Sequence, residues 1–329
     1  MTPNHRAFYS IQATGAVRRA SVGWLRLLVV GLLGSLWGWA LAACPPEPEL
    51  PGRGLMAQAQ QPAQDRGFLW RVSRGGRDSF VYGSLHAGRR EWFALGPQTE
   101  TALARTGVLA LEMNATDPAE LATWNAALQT APRTLPAPVQ ADLAEAWQVE
   151  CLPLTDLDRG PAELHVMRLG AAQAQRRGLF ALYSVESLLL MRSLRTQRPV
   201  MGLESVRTQL SALLARNDAD AATLVAAALR EWKLPSSSAS LERLTDVWAR
   251  GDLDALERYA QWCGCLETDT EREAFARLVD ARNPAMADAL ERTHAQVSVF
   301  AAVGALHVAG PQGLPALLRA RGFAVTRVF

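Results

Sequence analysis

The chain has 329 residues, a net charge of +2 and 49% hydrophobic side chains, enough for one large or two small domains with a sizeable core. Residues 1–43 hold four arginines and no acid, so the remainder is close to −2. That balance removes the electrostatic motive for nucleic-acid binding, and no nucleic-acid partner is expected.

Residues 1–43 read as an export signal. Arg18, Arg19 and Arg26 flank the start of the apolar run Leu27–Ala43, which ends in small residues. Its 17 residues, interrupted by Gly31, Gly34 and Gly38, are at the short limit for a membrane span. Leu41-Ala42-Ala43-Cys44 resembles a bacterial lipobox, which predicts an acylated Cys44, membrane attachment through that lipid, and a periplasm-facing place in the cell envelope; ordinary cleavage after Ala43 also fits and predicts a periplasmic or secreted protein. Residues 44–66 carry five prolines and four glutamines without apolar periodicity, the composition of an extended tether. The folded domain is expected over residues 67–329. In an oxidising compartment Cys151 is expected to pair with Cys263 or Cys265, leaving one free thiol.

Strands are predicted over 68–73 and 79–85, joined through Arg74-Gly75-Gly76-Arg77, where two glycines supply the positive φ of a tight hairpin. A helix over 98–105 precedes the apolar strand 108–113. Residues 117–198 read as mainly helical, broken by prolines, and 200–203 as a short strand. Apolar spacings of three and four mark amphipathic helices within 205–231 and 239–262, and Asp252 is placed to cap a helix beginning at Leu253. Asn283-Pro284 reads as a helix start with Asn283 as cap. A strand over 297–303, a helix over 313–321 and a strand over 324–329 finish the chain. The fold class is therefore α+β, a mixed sheet built from N- and C-terminal segments around a large, mainly helical insertion.

Chemistry is carried by a repeated tetrapeptide. Gly83-Ser84-Leu85-His86 and Gly304-Ala305-Leu306-His307 each follow a short apolar run, and they hold two of the four histidines after residue 43. Glycine at a strand end lets the chain turn sharply and presents the histidine at the sheet rim, where open sheets bind ligands. Two imidazoles there suit a transition metal. Glu112 after Val108–Leu111 and Glu204 after Val200–Leu203 are candidate further ligands, because an ionised carboxylate at the end of a buried strand is costly without a cation. Glu186 is a third candidate. His165 and His294 fall in helical stretches and are expected at the surface. No HExxH, GxSxG, P-loop or GxGxxG pattern is present.

Taken in order, FLWRVSRGG, FVYGSLHAG, VLALEMN, PVMGLES, VWARGD, ARNPAM and FAAVGALHVAG resemble the TraB/GumN family, whose eukaryotic relatives are the TIKI proteases. The resemblance spans residues 67–329. It implies a metal-dependent hydrolase acting on a peptide or a small amide or ester, with His86 and His307 as ligands of a divalent metal (manganese, cobalt or zinc class). Glu112 would be ligand or general base, and Arg282 an electrophilic helper or anion clamp. Ser184-Val185-Glu186 departs from the family's usual glycine-containing segment. A related fold includes a haem-binding lipoprotein, so haem or metal binding without catalysis is the alternative implied.

Overall fold

The computed structural model describes residues 44–329 apart from 51, 60 and 62, and the export-signal reading of residues 1–43 lies outside the described residues. Among the described residues six strands are formed: β1 (Phe68–Arg74), β2 (Arg77–Ser84), β3 (Val108–Leu111), β4 (Val200–Gly202), β5 (Val299–Gly304) and β6 (Ala324–Arg327). They make one sheet in the order β4-β3-β5-β2-β1-β6. The fold is α+β, with a mixed sheet and N- and C-terminal strands flanking a helical region.

The hairpin turn has Gly75 at φ 59° and Gly76 at φ 76°, and it sets the β1–β2 register with Arg74 opposite Arg77. Such a pair of left-handed residues matches the strand twist, and glycine adopts the conformation without a Cβ clash. β2, β5, β3 and β4 run parallel, while β1 is antiparallel to both β2 and β6. Every residue of β5 is buried, which explains why it reads as a continuous apolar run rather than an alternating one. The main core packs around the sheet and includes Phe68, Leu109, Phe300, Leu188, Met286 and Leu290. A second core, with Trp147, Leu169, Val225 and Leu229 at its centre, is made by the helices Ala137–Val149, Ala162–Arg176 and Asp218–Lys233 within the insertion. Among the described residues no helix is long and apolar enough to cross a membrane.

Several expectations are corrected. The segment expected to be an extended tether contains the helix Arg53–Gln58, with Leu55 and Ala59 buried in the main core, and the carbonyl of Glu49 accepts a hydrogen bond from Tyr183. Cys151 pairs with Cys44, and Cys263 pairs with Cys265, so none of these four is free. Proximity along the chain, with Gly264 at φ 65° closing the turn, satisfies Cys263 locally and leaves Cys151 for Cys44. His165 and His294 are buried rather than superficial. His165 meets the edge of the Trp147 ring in the second core. His294 lies with Nδ1 2.7 Å from Ser79 Oγ and Nε2 3.1 Å from the Arg74 carbonyl, which ties its helix end to the hairpin. Asp252 caps its helix as expected, accepting from Ala255 N at 2.9 Å.

Candidate active site

All four parallel strands end on one rim, and each delivers a polar side chain there. β2 leads into His86, β3 into Glu112, β4 into Glu204 and β5, through a short 3-10 turn, into His307. Two helices complete the rim. Arg282 immediately precedes the helix Asn283–His294, and Glu186 lies in the first turn of the helix Val185–Arg195, whose cap is Ser184.

Glu112 is at the centre. Its Oε1 lies 3.6 Å from His86 Nε2 and 3.7 Å from His307 Nε2, and it accepts the Gly304 N–H at 2.7 Å. Its Oε2 accepts from Arg282 Nη2 at 2.5 Å and from Gln209 Nε2 at 3.3 Å. The far nitrogens of both rings are held separately. His86 Nδ1 is 2.9 Å from Glu186 Oε1, which also accepts from the Ser84 hydroxyl. His307 Nδ1 is 2.7 Å from Asn283 Oδ1, while the Asn283 amide nitrogen donates to the Gln312 carbonyl. With that amide so oriented, its oxygen can only accept. The His307 proton therefore sits on Nδ1, and Nε2 turns a lone pair toward the centre.

Gly304 gives this packing room. A Cβ there would press on both groups, 3.0 Å from His86 Nε2 and 3.3 Å from Glu112 Oε1. The second repeated tetrapeptide thus begins with a residue that makes room for the histidine of the first.

Charge is arranged as strongly as position. Burial alone pushes the Glu112 carboxyl up, but His86, His307, Arg282 and the Gly304 N–H outweigh it and hold the group at about 2. His307 moves the other way. Burial, with Arg282 and His86 beside it, lowers it to about 4 against the opposing pull of Glu112, so the ring is neutral at pH 7. For His86 burial acts against protonation, yet Glu186 and Glu112 raise it above the ordinary histidine value; the ring is two-thirds exposed at the mouth, where solvent screens that pull.

The four sequence-derived candidates of the metal set divide into two groups. His86, His307 and Glu112 come together. Glu204 stands with Arg282: Nε of the guanidinium donates to both of its oxygens, at 3.0 and 3.1 Å, and Nη2 makes a further short contact. No ion pair joins Glu204 to either histidine among the described residues. Arg282 is mostly covered together with both carboxylates, and its Nη1 donates to the Leu278 carbonyl and lies 3.4 Å from His307 Nε2. Asn283 was expected as a helix cap. It is instead the first helical residue, makes no cap bond, and orients His307. The capping signal of Asn-Pro concealed that role; only the adjacency to Arg282 hinted at it.

The chain matches the TraB/PrgY/gumN family over residues 68–327, which takes in both tetrapeptides, Glu112, Glu186, Glu204 and Arg282. Neither a curated protein nor a solved structure matches it significantly. The match covers most of the chain and all six strands, so this protein is a member of the TraB/PrgY/gumN family.

Proposed function

We propose that the protein is a metal-dependent hydrolase of the cell envelope that cleaves an amide or peptide bond. The observation that carries the reading is the convergence of two imidazole Nε2 atoms, 3.6 and 3.7 Å away, on one ionised oxygen of Glu112.

The residues suit a divalent metal in donor chemistry. The imidazole of His307, that of His86 once it gives up its proton to the incoming cation, and a carboxylate are borderline donors appropriate to manganese, cobalt or zinc. Each ring has its second nitrogen occupied by a carboxylate or amide oxygen, the arrangement that fixes tautomer and orientation in metal-binding histidines. Among the described residues no group of three or more His, Cys, Asp or Glu side chains already stands at metal-holding spacing, so binding would need some adjustment of these side chains. His86, His307 and Glu112 would hold the ion. When bound, it would polarise a substrate carbonyl and acidify a water.

The chain's own residues then have separate tasks. Glu112, held near 2, is too weak a base to take a proton efficiently at neutral pH, which favours the ligand role over the general-base role. Arg282 spends its donors on Glu112, Glu204 and a carbonyl, which favours an anion clamp over an oxyanion donor. Glu204 belongs to that clamp. Asn283 and Glu186 keep both Nε2 atoms directed at the centre.

The test is metal content. After equilibration with manganese, cobalt or zinc and desalting, elemental analysis should find about one ion per chain, lost in His86→Ala and in His307→Ala. Unchanged stoichiometry in both folded variants would remove them as ligands and the hydrolase reading with them. For the address, acylation and the disulfide compete for one sulfur. A thioether-linked lipid on Cys44 needs the atom that here bridges to Cys151. Mass spectrometry of the mature N-terminus tells the anchored form from the bridged one.

A further inference from the structure

Beside the polar rim lies a cavity of about 490 Å³, within the range of small-molecule and side-chain pockets. His86, Glu112, Glu186 and Arg282 form its polar wall, while Leu111, Met113, Trp124, Met167, Leu190 and Leu213 make much of the rest. Two features single it out from a packing gap. Trp124 comes from the helix Pro118–Leu128, none of whose residues is buried although Leu121 and Leu128 are apolar and exposed. Met167, at the rim, is 47% exposed. Of the lining itself, Met167 is thus exposed and Trp124 half-buried, and such apolar surface around a concave site gains free energy when an apolar group fills it. A smaller cavity of about 220 Å³ shares His86 and Arg282, so the space on the two sides of these residues is unequal.

We propose that the larger cavity is a specificity pocket for a bulky apolar side chain, aromatic or long aliphatic, on a peptide residue adjoining the bond presented to His86 and Glu112. Trp124 and Met167 are its specificity-determining residues. The inference rests on the hydrolase reading for the meaning of that bond, but the pocket's preference exists without catalysis. Trp124 supplies a flat, polarisable wall and Met167 an unbranched side chain that adapts to the occupant. Glu112 and Glu186 are already paired with Arg282 and His86, so an acidic side chain would lose its hydration among apolar walls without finding a free cation in this lining.

The experiment has two arms. In the first, acetyl-Ala-X-Ala-amide peptides with X = Phe, Leu, Ala or Glu are titrated calorimetrically into the chelator-treated protein. Phe and Leu should bind about tenfold or more tighter than Ala, with Glu weakest. Trp124→Ala should cut the Phe-to-Ala ratio about tenfold and leave the Ala peptide nearly unaffected. Met167→Gln, on an exposed position, is the second variant and should act in the same direction. Equal affinities for Phe and Ala, or a ratio that neither variant moves, would overturn the pocket. In the second arm a mixed peptide library is offered to the metal-supplemented protein and its cleavage sites are read by mass spectrometry. Cleavage next to bulky apolar residues supports both readings. Cleavage without that preference overturns the pocket and leaves the hydrolase. No cleavage, with the binding preference retained, overturns the hydrolase and leaves the pocket.

Discussion

Replacing Arg282 by methionine keeps most of the side-chain volume and removes the cation between two buried carboxylates. The side chains of Arg282, Glu112 and Glu204 are 11%, 10% and 2% exposed. Removing one partner of a buried ion pair costs about 3–5 kcal/mol, because the remaining charge is neither solvated nor paired. The burden is uneven. Glu112 keeps His86, the Gln209 amide and the Gly304 N–H, whereas both oxygens of Glu204 depend on Arg282. The loss should therefore centre on Glu204. Urea unfolding of the chelator-treated, disulfide-intact protein, followed by tryptophan fluorescence, should show Arg282→Met destabilised by about 3–5 kcal/mol at pH 7.5. For a domain of this size that corresponds to a Tm lowered by about 6–20 °C. The sign with pH follows from linkage. An orphaned buried carboxyl is raised in the folded state above its unfolded value, so the folded protein holds the proton more tightly, and the penalty shrinks as pH falls from 7.5 toward 5. Adding Glu204→Gln to Arg282→Met should restore most of the loss and flatten the pH dependence. A single variant within about 1 kcal/mol of the parent at both pH values would refute the clamp.

Three further outcomes can be checked. Asn283→Ala should leave the fold standing but free the His307 ring, lowering metal affinity about 10–100-fold by calorimetric titration. Gly304→Ala should press a methyl group against His86 Nε2 and Glu112 Oε1, reducing metal uptake while circular dichroism stays near that of the parent. Because His307 falls to about 4 on folding from an ordinary 6.5, its contribution to stability is complete above pH 6.5 and is lost as pH drops toward 4; His307→Gln should remove that part of the metal-free protein's acid sensitivity, read from unfolding midpoints between pH 7 and 4.

All six strands were readable from the sequence to within a few residues. Each is short, and the central β3 and β5 are apolar runs buried on both faces, which suppresses helical periodicity. The repeated tetrapeptide, with Glu112 at another strand end, exposed the centre of the site for the same reason. Glu204 gave the same signal as Glu112, and only the third dimension shows Arg282 standing against it. Asn283 was obscured because one residue type serves both helix starts and imidazole anchoring. Burial of His165 and His294 escaped notice because their packing partners, Trp147 and Ser79, are 18 and 215 residues away in the chain. The apolar cavity was invisible for the same reason: its wall draws on segments from His86 to Ala302.

The order of the strands has a consequence for biogenesis. β5 is inserted between β3 and β2, so the middle of the sheet is among the last parts of the chain to be made. A nascent polypeptide that has passed residue 204 already carries His86, Glu112 and Glu204, but its sheet is split where β5 belongs, and both Arg282 and His307 are missing. Whatever the rim does, it cannot begin before synthesis is almost finished, and a chain truncated ahead of residue 299 is left with two separated strand pairs and no reactive centre.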